Sequence, residues 1–176
     1  MEITIKPMTM ERNRTYWRSF RHDPMMFTDT QPFCEYAYSV EKADAAFERH
    51  KQLERIHMAV MRGEEPIGEI VLKNLDPVEH CCTMGIHLAN DSCKDKGYGT
   101  KAEFLLLKYA FEELGMCTVY ADALHKNKRS QHVLEKVGFV ATGSDELFRY
   151  YRCDKATWNP QKLAHIIQRP QPYPSL

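Results

Sequence analysis

Between residues 80 and 124 the hydrophobic period changes twice, from two residues to about 3.6 and back, and this restricts the possible topologies to a few. Residues 80–88 (HCCTMGIHL) read as a strand. Residues 100–114 read as a helix, with Ala102, Leu105, Leu106, Tyr109, Ala110 and Leu114 on one stripe and Gly115 just past its end. Residues 117–124 (CTVYADAL) read as a buried strand. Strand, helix and strand in that order need a crossover, so the two strands should lie parallel. Upstream, residues 57–62 and 66–75 also read as strands, and the short links Gly63-Glu64-Glu65 and Asp76-Pro77 suit antiparallel neighbours. The chain is therefore expected to be mixed α/β, with a mostly antiparallel sheet that turns parallel where the meander ends.

The flanks complete this outline. Residues 2–6 (EITIK) alternate as a first strand, and Thr9 is placed to cap a helix carrying Tyr16, Trp17 and Phe20. Residues 25–38 form an aromatic, irregular stretch, and loops of this length are often functional. Ser39 is placed to cap a second helix with Val40, Ala43, Phe47 and His50 on one side. A helix over 128–137 should end at Gly138, followed by a β region over 139–151. About four helices and one domain, residues 1–167, are expected, followed by a proline-rich tail over 168–176.

Charge excludes whole classes of partner. With 24 basic and 24 acidic side chains the formal charge is zero, so no global field recruits nucleic acid or an anionic membrane. The first eight residues lack the apolar stretch of a signal peptide, and no run approaches the ~18 apolar residues of a membrane span, so a cytoplasmic location is expected. Six cysteines without a C-x-x-C pair read as reduced. Eight histidines without an H-x-x-x-H give no expectation of a metal.

An anion must then be met locally, and residues 92–102 (SCKDKGYGTKA) supply the means. Gly97 and Gly99 let the backbone approach a ligand, and the helix that follows points unpaired N–H groups at whatever fills the loop. Lys94, Lys96 and Lys101 add positive charge, although solvated lysines beside a glycine-bearing connection would look the same. Residues 97–102 also fit G-x-G-x-x-A, with Asp122 downstream where a dinucleotide site would want it. The residues between Leu88 and Gly97 and the antiparallel meander before them reject that reading, since the dinucleotide glycines follow a strand directly.

Lys94-Asp95-Lys96-Gly97-Tyr98-Gly99 resembles the [QR]-x-x-G-x-[GA] acetyl-coenzyme A motif of the GNAT N-acetyltransferase superfamily. Asn127-Lys128-Arg129-Ser130 and Lys136-Val137-Gly138-Phe139 resemble its N-x-x-S and K-x-G-F block. The likeness is greatest to the RimJ/RimL type and runs from the first strand to about Trp158. It implies a single GNAT-like domain whose sheet splays to admit acetyl-CoA. It also implies transfer of acetyl from acetyl-CoA directly to an amine, a protein N-terminus or a small amine, through a ternary complex. No metal is implied, and a homodimer is compatible with it. By the same resemblance Lys94, Asp95, Lys96, Gly97, Tyr98, Gly99 and Thr100 hold the pyrophosphate, while Ile86, His87, Leu88, Asn127 and Ser130 accompany the pantetheine arm. A backbone N–H near His87 or Leu88 then polarises the thioester carbonyl.

Three positions depart from the family pattern. Lys94 stands where Gln or Arg is preferred, Leu134 where many members carry an acidic tyrosine, and Thr83 where some relatives carry a glutamate. The base that deprotonates the amine is therefore open among Glu69, His87, Asp122 and His125, with Glu69 or His87 preferred, and Tyr150 or Tyr151 could replace the missing acid. Cys93 beside a lysine-rich helix start admits a covalent route, but no histidine is spaced to pair with it. The alternative to an enzyme is a non-catalytic module of the same fold that binds CoA or acyl-CoA. The aromatic residues of the 25–38 stretch, Phe27, Phe33, Tyr36 and Tyr38, are expected to wall the acceptor pocket.

Overall fold

In a computed structural model of the protein, which describes residues 2–28, 37–161 and 164, seven strands form one sheet in the order β1-β2-β3-β4-β5-β7-β6. The elements are β1 (Ile3–Pro7), α1 (Met10–Ser19), α2 (Val40–Gln52), β2 (Ile56–Arg62), β3 (Glu65–Asp76), β4 (Cys81–Leu88), α3 (Tyr98–Lys108), β5 (Thr118–Leu124), α4 (Lys128–Val137), β6 (Val140–Ser144) and β7 (Phe148–Asp154). Every pairing is antiparallel except that of β4 with β5. The expected mixed sheet and its parallel turning point are both present. The boundary at 167/168 and the proline-rich tail lie outside the described residues.

Local signals account for the helix limits. The Thr9 and Ser39 side chains accept the N–H groups of Arg12 and Lys42, and Asn127 accepts that of Ser130, so three helices start where a short polar side chain replaces the missing acceptor. Gly138, at φ 111°, closes α4 in a conformation that costs a residue with a Cβ. Helix α3 differs from expectation. It begins at Tyr98, and after Lys108 the turn over Tyr109–Glu113 widens to i→i+5 bonding, Leu114 N–H donating to the Tyr109 carbonyl at 3.1 Å. The widened turn releases carbonyls, and the Phe111 oxygen is taken by Lys155 Nζ at 2.7 Å, a partner too distant in sequence for a local pattern to reveal. The buried stripe also shifts, with Glu103, Leu106 and Leu107 buried and Leu105 only partly so. The final β region resolves into a hairpin, with Asp145 accepting the Leu147 and Phe148 N–H groups at its turn.

The main core lies between α3, α4 and one face of the sheet, where Ile70, Leu72, Met84, Leu106, Phe111, Val119 and Tyr151 interlock. The other face is covered by α1 and α2. Tyr16 and Phe20 are buried there as expected, Trp17 is only partly buried and Val40 is exposed. Asn13, wholly buried, donates to the Ala43 carbonyl at 2.6 Å and accepts from Trp17 Nε1, which ties the two helices together.

Candidate functional site

The sheet opens at its parallel junction. Strands β4 and β5 pair only over Cys81–Thr83 with Thr118–Tyr120. Beyond Met84, β4 bonds β3 alone, while residues 121–124 of β5 bond β7 alone, so the facing edges part. Gly68 lets β3 follow β4 closely at the end of this run, because a Cβ there would stand 2.6 Å from the His87 carbonyl oxygen.

Two adjoining cavities occupy the gap. The first, about 670 Å³, is walled by Leu88, the loop that precedes α3, the α3 N-terminus and the start of α4. Gly97 at φ 74° and Asp95 at φ 57° turn the loop into the helix, and no side chain caps α3. The amides of Tyr98, Gly99 and Thr100 therefore precede the first intrahelical acceptor and lie where the helix dipole favours an anion. Asn127 and Ser130 stand opposite on α4, held by Gln131, whose buried Nε2 donates to the Leu124 and His125 carbonyls at 2.8 and 3.0 Å.

The lysines are arranged differently from expectation. Lys94 is buried and its ammonium lies between Asp23, at 2.5 Å, and Asp91, at 2.8 Å, instead of facing outward. Its role here is to anchor the segment before Met26, and it holds the Asp23 carboxyl below the usual range. Lys96 is exposed and walls neither cavity, whereas Arg129 reaches from α4 to Asp95 with both nitrogen arms, at 2.9 and 3.0 Å. The local positive charge is thus more evenly balanced than the sequence suggests.

The second cavity, about 680 Å³, continues under the parted strands and is lined by Lys73, Gly85, His87, Asp122, Leu134 and Phe148. Met26, Ile86, Glu103, Asn127 and Ser130 line both. Of the four bases considered from sequence, the structure brings Glu69 and His87 together as register partners on β3 and β4, His87 Nδ1 standing 3.3 Å from Glu69 Oε1. Glu69 also receives His57 Nε2 at 2.9 Å, and His50 stacks on His57 with ring centroids 4.0 Å apart. The two imidazole contacts hold the Glu69 carboxyl well below the usual carboxylate range although it is buried. Burial pushes His50 down to about 4, so it is neutral at neutral pH. An ionised Glu69 can only accept, so His87 Nδ1 and His57 Nε2 must donate, which leaves Nε2 as the position of the lone pair in the neutral tautomer of His87. His87 is half-exposed and borders the cavity.

His50, His57 and Glu69 are a donor set a divalent ion could use, and no metal expectation from sequence anticipated it. The rings of His50 and His57 stack with 20° between them, and His50 Nε2 stands 3.8 Å from Glu69 Oε2, so the hydrogen bonds to Glu69 come from His57 and His87. Asp122 is exposed beside His87 in the cavity wall, whereas His125 Nε2 meets the Asp145 carbonyl oxygen at 2.8 Å, away from it. Tyr150 pairs with Asp122 in register on the outer rim and its hydroxyl donates a hydrogen bond to Asp145, which pushes its pKa up. Tyr151 is buried in the core and Cys93 is turned into it. Phe27 stacks on His22 at 4.2 Å and the Tyr38 ring lies under Arg18, while Phe33, Tyr36 and Cys34 fall outside the described residues.

The site residues missed from sequence are His50, His57 and Glu103. For Glu103 a signal existed, a lone acid on an apolar helix stripe between Ala102 and Leu106. The histidines gave none, because His57 lies diagonal to Glu69 across the β2–β3 pairing and not opposite it, and His50 reaches β3 only when α2 packs on the sheet.

Residues 2–140 match the family described as acetyltransferase (GNAT) domain. The chain is 34% identical over 105 residues to the protein named "Putative ribosomal N-acetyltransferase YdaF" of Bacillus subtilis (strain 168), covering 54% of this chain and 57% of that one. The match thus spans little more than half of that relative's length. Among solved structures, Mycobacterium smegmatis RimJ in complex with CoA-disulfide superposes with a TM-score of 0.75 at 14% identity, covering 93% of this chain and 88% of the other. AAC(6')-Ib in complex with paromomycin and acetyl-CoA superposes with a TM-score of 0.72 at 17% identity, covering 89% and 95%.

Proposed function

Because the chain belongs to the GNAT acetyltransferase family, we propose that it transfers acetyl from acetyl-CoA to an amine in a ternary complex. The observation that carries this reading is the early parting of β4 from β5, which leaves an amide-edged slot leading from the uncapped α3 N-terminus to His87. A pyrophosphate placed on the amides of residues 98–100 lets the pantetheine arm run along the free β4 edge as an added strand would. Asn127 and Ser130 flank that arm from α4, and the thioester reaches the second cavity.

There a backbone N–H of residues 86–88 stabilises the developing oxyanion. His87 Nε2 takes the proton of the incoming amine as its nitrogen attacks the thioester carbonyl. Glu69 fixes the tautomer through Nδ1 and stabilises the imidazolium that forms, the same division of labour as in other His–carboxylate pairs. The C–S bond then breaks and the CoA thiolate departs. A thiol of pKa ~8.5 leaves readily without a dedicated acid, which accommodates Leu134 at the position of the family tyrosine. His87 returns its proton to water through its exposed edge.

Asp122 and the neutral overall charge suit a single ammonium group, as on a protein N-terminus or a small amine. The relative named "Putative ribosomal N-acetyltransferase YdaF" favours an amine of the ribosome among these. The test is thiol release from acetyl-CoA against a panel of N-terminal peptides and small amines. Acceptor-dependent turnover that is lost in His87→Ala is the expected result. Acetyl-CoA binding without turnover for any amine would instead favour a non-catalytic binding module.

A further inference from the structure

Glu103 is a buried acid that no contact among the described residues accounts for. It sits on the apolar stripe of α3, is 2% exposed, and its Oε2 has no hydrogen-bond partner among the described residues. A leucine would fill the same stripe without leaving a polar atom unpaired. Yet Glu103 is not sealed within the core, since it lines both cavities at the point where they join. The other walls of that junction are Met26, Ile86, Asn127 and Ser130.

We propose that Glu103 positions the cofactor, its carboxyl group hydrogen-bonding a carbonyl or hydroxyl on the amide-bearing arm of the thioester. This rests on the reading that acetyl-CoA occupies the cleft. Glu103 lies one helical turn beyond the amides of residues 98–100, a rise of roughly 6 Å from Gly99. That distance sets it beside the phosphate-proximal half of the arm and short of the sulfur, so it is a positioning group and not the acid that protonates the thiolate. The arm carries amides and a hydroxyl, and a neutral acid offers them a donor, whereas a carboxylate would offer only acceptors next to an anionic ligand.

Among the described residues no charged group is paired with Glu103. Lys94 is engaged by Asp23 and Asp91, and Arg129 by Asp95, on the first-cavity side, while Lys73, His87 and Asp122 line the second. Burial alone pushes the Glu103 carboxyl up to about 8, so the donor form prevails at neutral pH. Cofactor binding must hold the proton more firmly still, and affinity must fall as pH rises past that point.

The experiment is calorimetric titration of the full chain with acetyl-CoA, without acceptor, and in parallel with adenosine 3',5'-bisphosphate, which lacks the arm. Wild type should bind acetyl-CoA about tenfold more weakly when pH rises from about 7 to about 9, the effect of losing one hydrogen bond. Glu103→Gln, which keeps a donor, should bind near wild-type strength with that pH dependence gone. Glu103→Leu should lose about tenfold at pH about 7, and the bisphosphate should bind all three alike. Equal acetyl-CoA affinity in Glu103→Leu and wild type, or an equal loss for the bisphosphate, would overturn the proposal. So would a fall in kcat at unchanged affinity. Wild type binding neither ligand would overturn the cofactor reading itself, a result distinct from the others.

Discussion

Glu69 and Glu103 are two nearly inaccessible glutamates on opposite sides of one sheet, one ionised and the other neutral. Glu69 projects from β3 toward α2 and meets imidazole nitrogens at 2.9 and 3.3 Å, which keep it ionised despite the cost of burial. Glu103 projects from α3 toward the cleft between the parted strands, meets no donor at Oε2 among the described residues, and keeps its proton. Burial is common to both, so the charge of a buried acid is set by the donors its neighbours aim at it. Beside α2 the fold has built the partners of the acid in, whereas at the cleft, on the proposed reading, one arrives with the ligand.

The largest effect that could break this contrast is on turnover. His87→Ala should lower kcat by roughly 10² to 10⁴, and Glu69→Gln by about one to two powers of ten, because a neutral amide cannot stabilise the imidazolium. Glu103→Leu should act on the KM for acetyl-CoA instead. Steady-state kinetics with one active amine decide it, and an unaltered kcat in Glu69→Gln would dissolve the assigned difference between the two acids.

Stability should separate them next, with opposite signs. The Glu103 pKa rises from 4.5 unfolded to about 8 folded, so the stability it contributes is full below pH 4.5 and is lost as pH climbs through about 8. Glu103→Leu should therefore stabilise the ligand-free protein by on the order of 2 to 3 kcal/mol near pH 8 and by much less near pH 4.5. Glu69→Leu should destabilise by about 1 to 3 kcal/mol, since it strands the His57 N–H. Thermal unfolding across pH reads both, and shifts of the same sign would refute the comparison.

The smallest effect concerns His50, which sharpens the Glu69 side. Its pKa falls from 6.5 to about 4 on folding, so its contribution is complete above pH 6.5 and is lost as pH falls toward 4. His50→Phe preserves the stack on His57 and should flatten the acid limb of the Tm profile by on the order of 1 to 2 kcal/mol. An acid limb as steep as that of wild type would show that the buried His50 imidazole does not drive it.

Much of the fold was legible because its signals are local. The caps at Thr9, Ser39, Asn127 and Gly138 each satisfy or release groups within one helical turn, and α4 runs over the expected residues. The loop over residues 92–102 was legible for the same reason, since glycines followed by an apolar stripe describe a helix start whatever surrounds them. Lys94 was misplaced because its partner Asp23 lies 71 residues away, and charge counting takes a lysine as free until a carboxylate is brought to it.

By itself, then, the sequence determined the elements, the parallel turning point and the glycine-bearing turn into α3, all set by periodicity and backbone freedom over a few residues. Only the tertiary structure decided which side chains share a proton. Antiparallel register places Glu69 opposite His87, with His57 one diagonal step away, and α2 lays His50 on top. It likewise carries Glu103 into the cleft unpartnered. Charge state depends on the distances between groups that the chain separates and only folding unites.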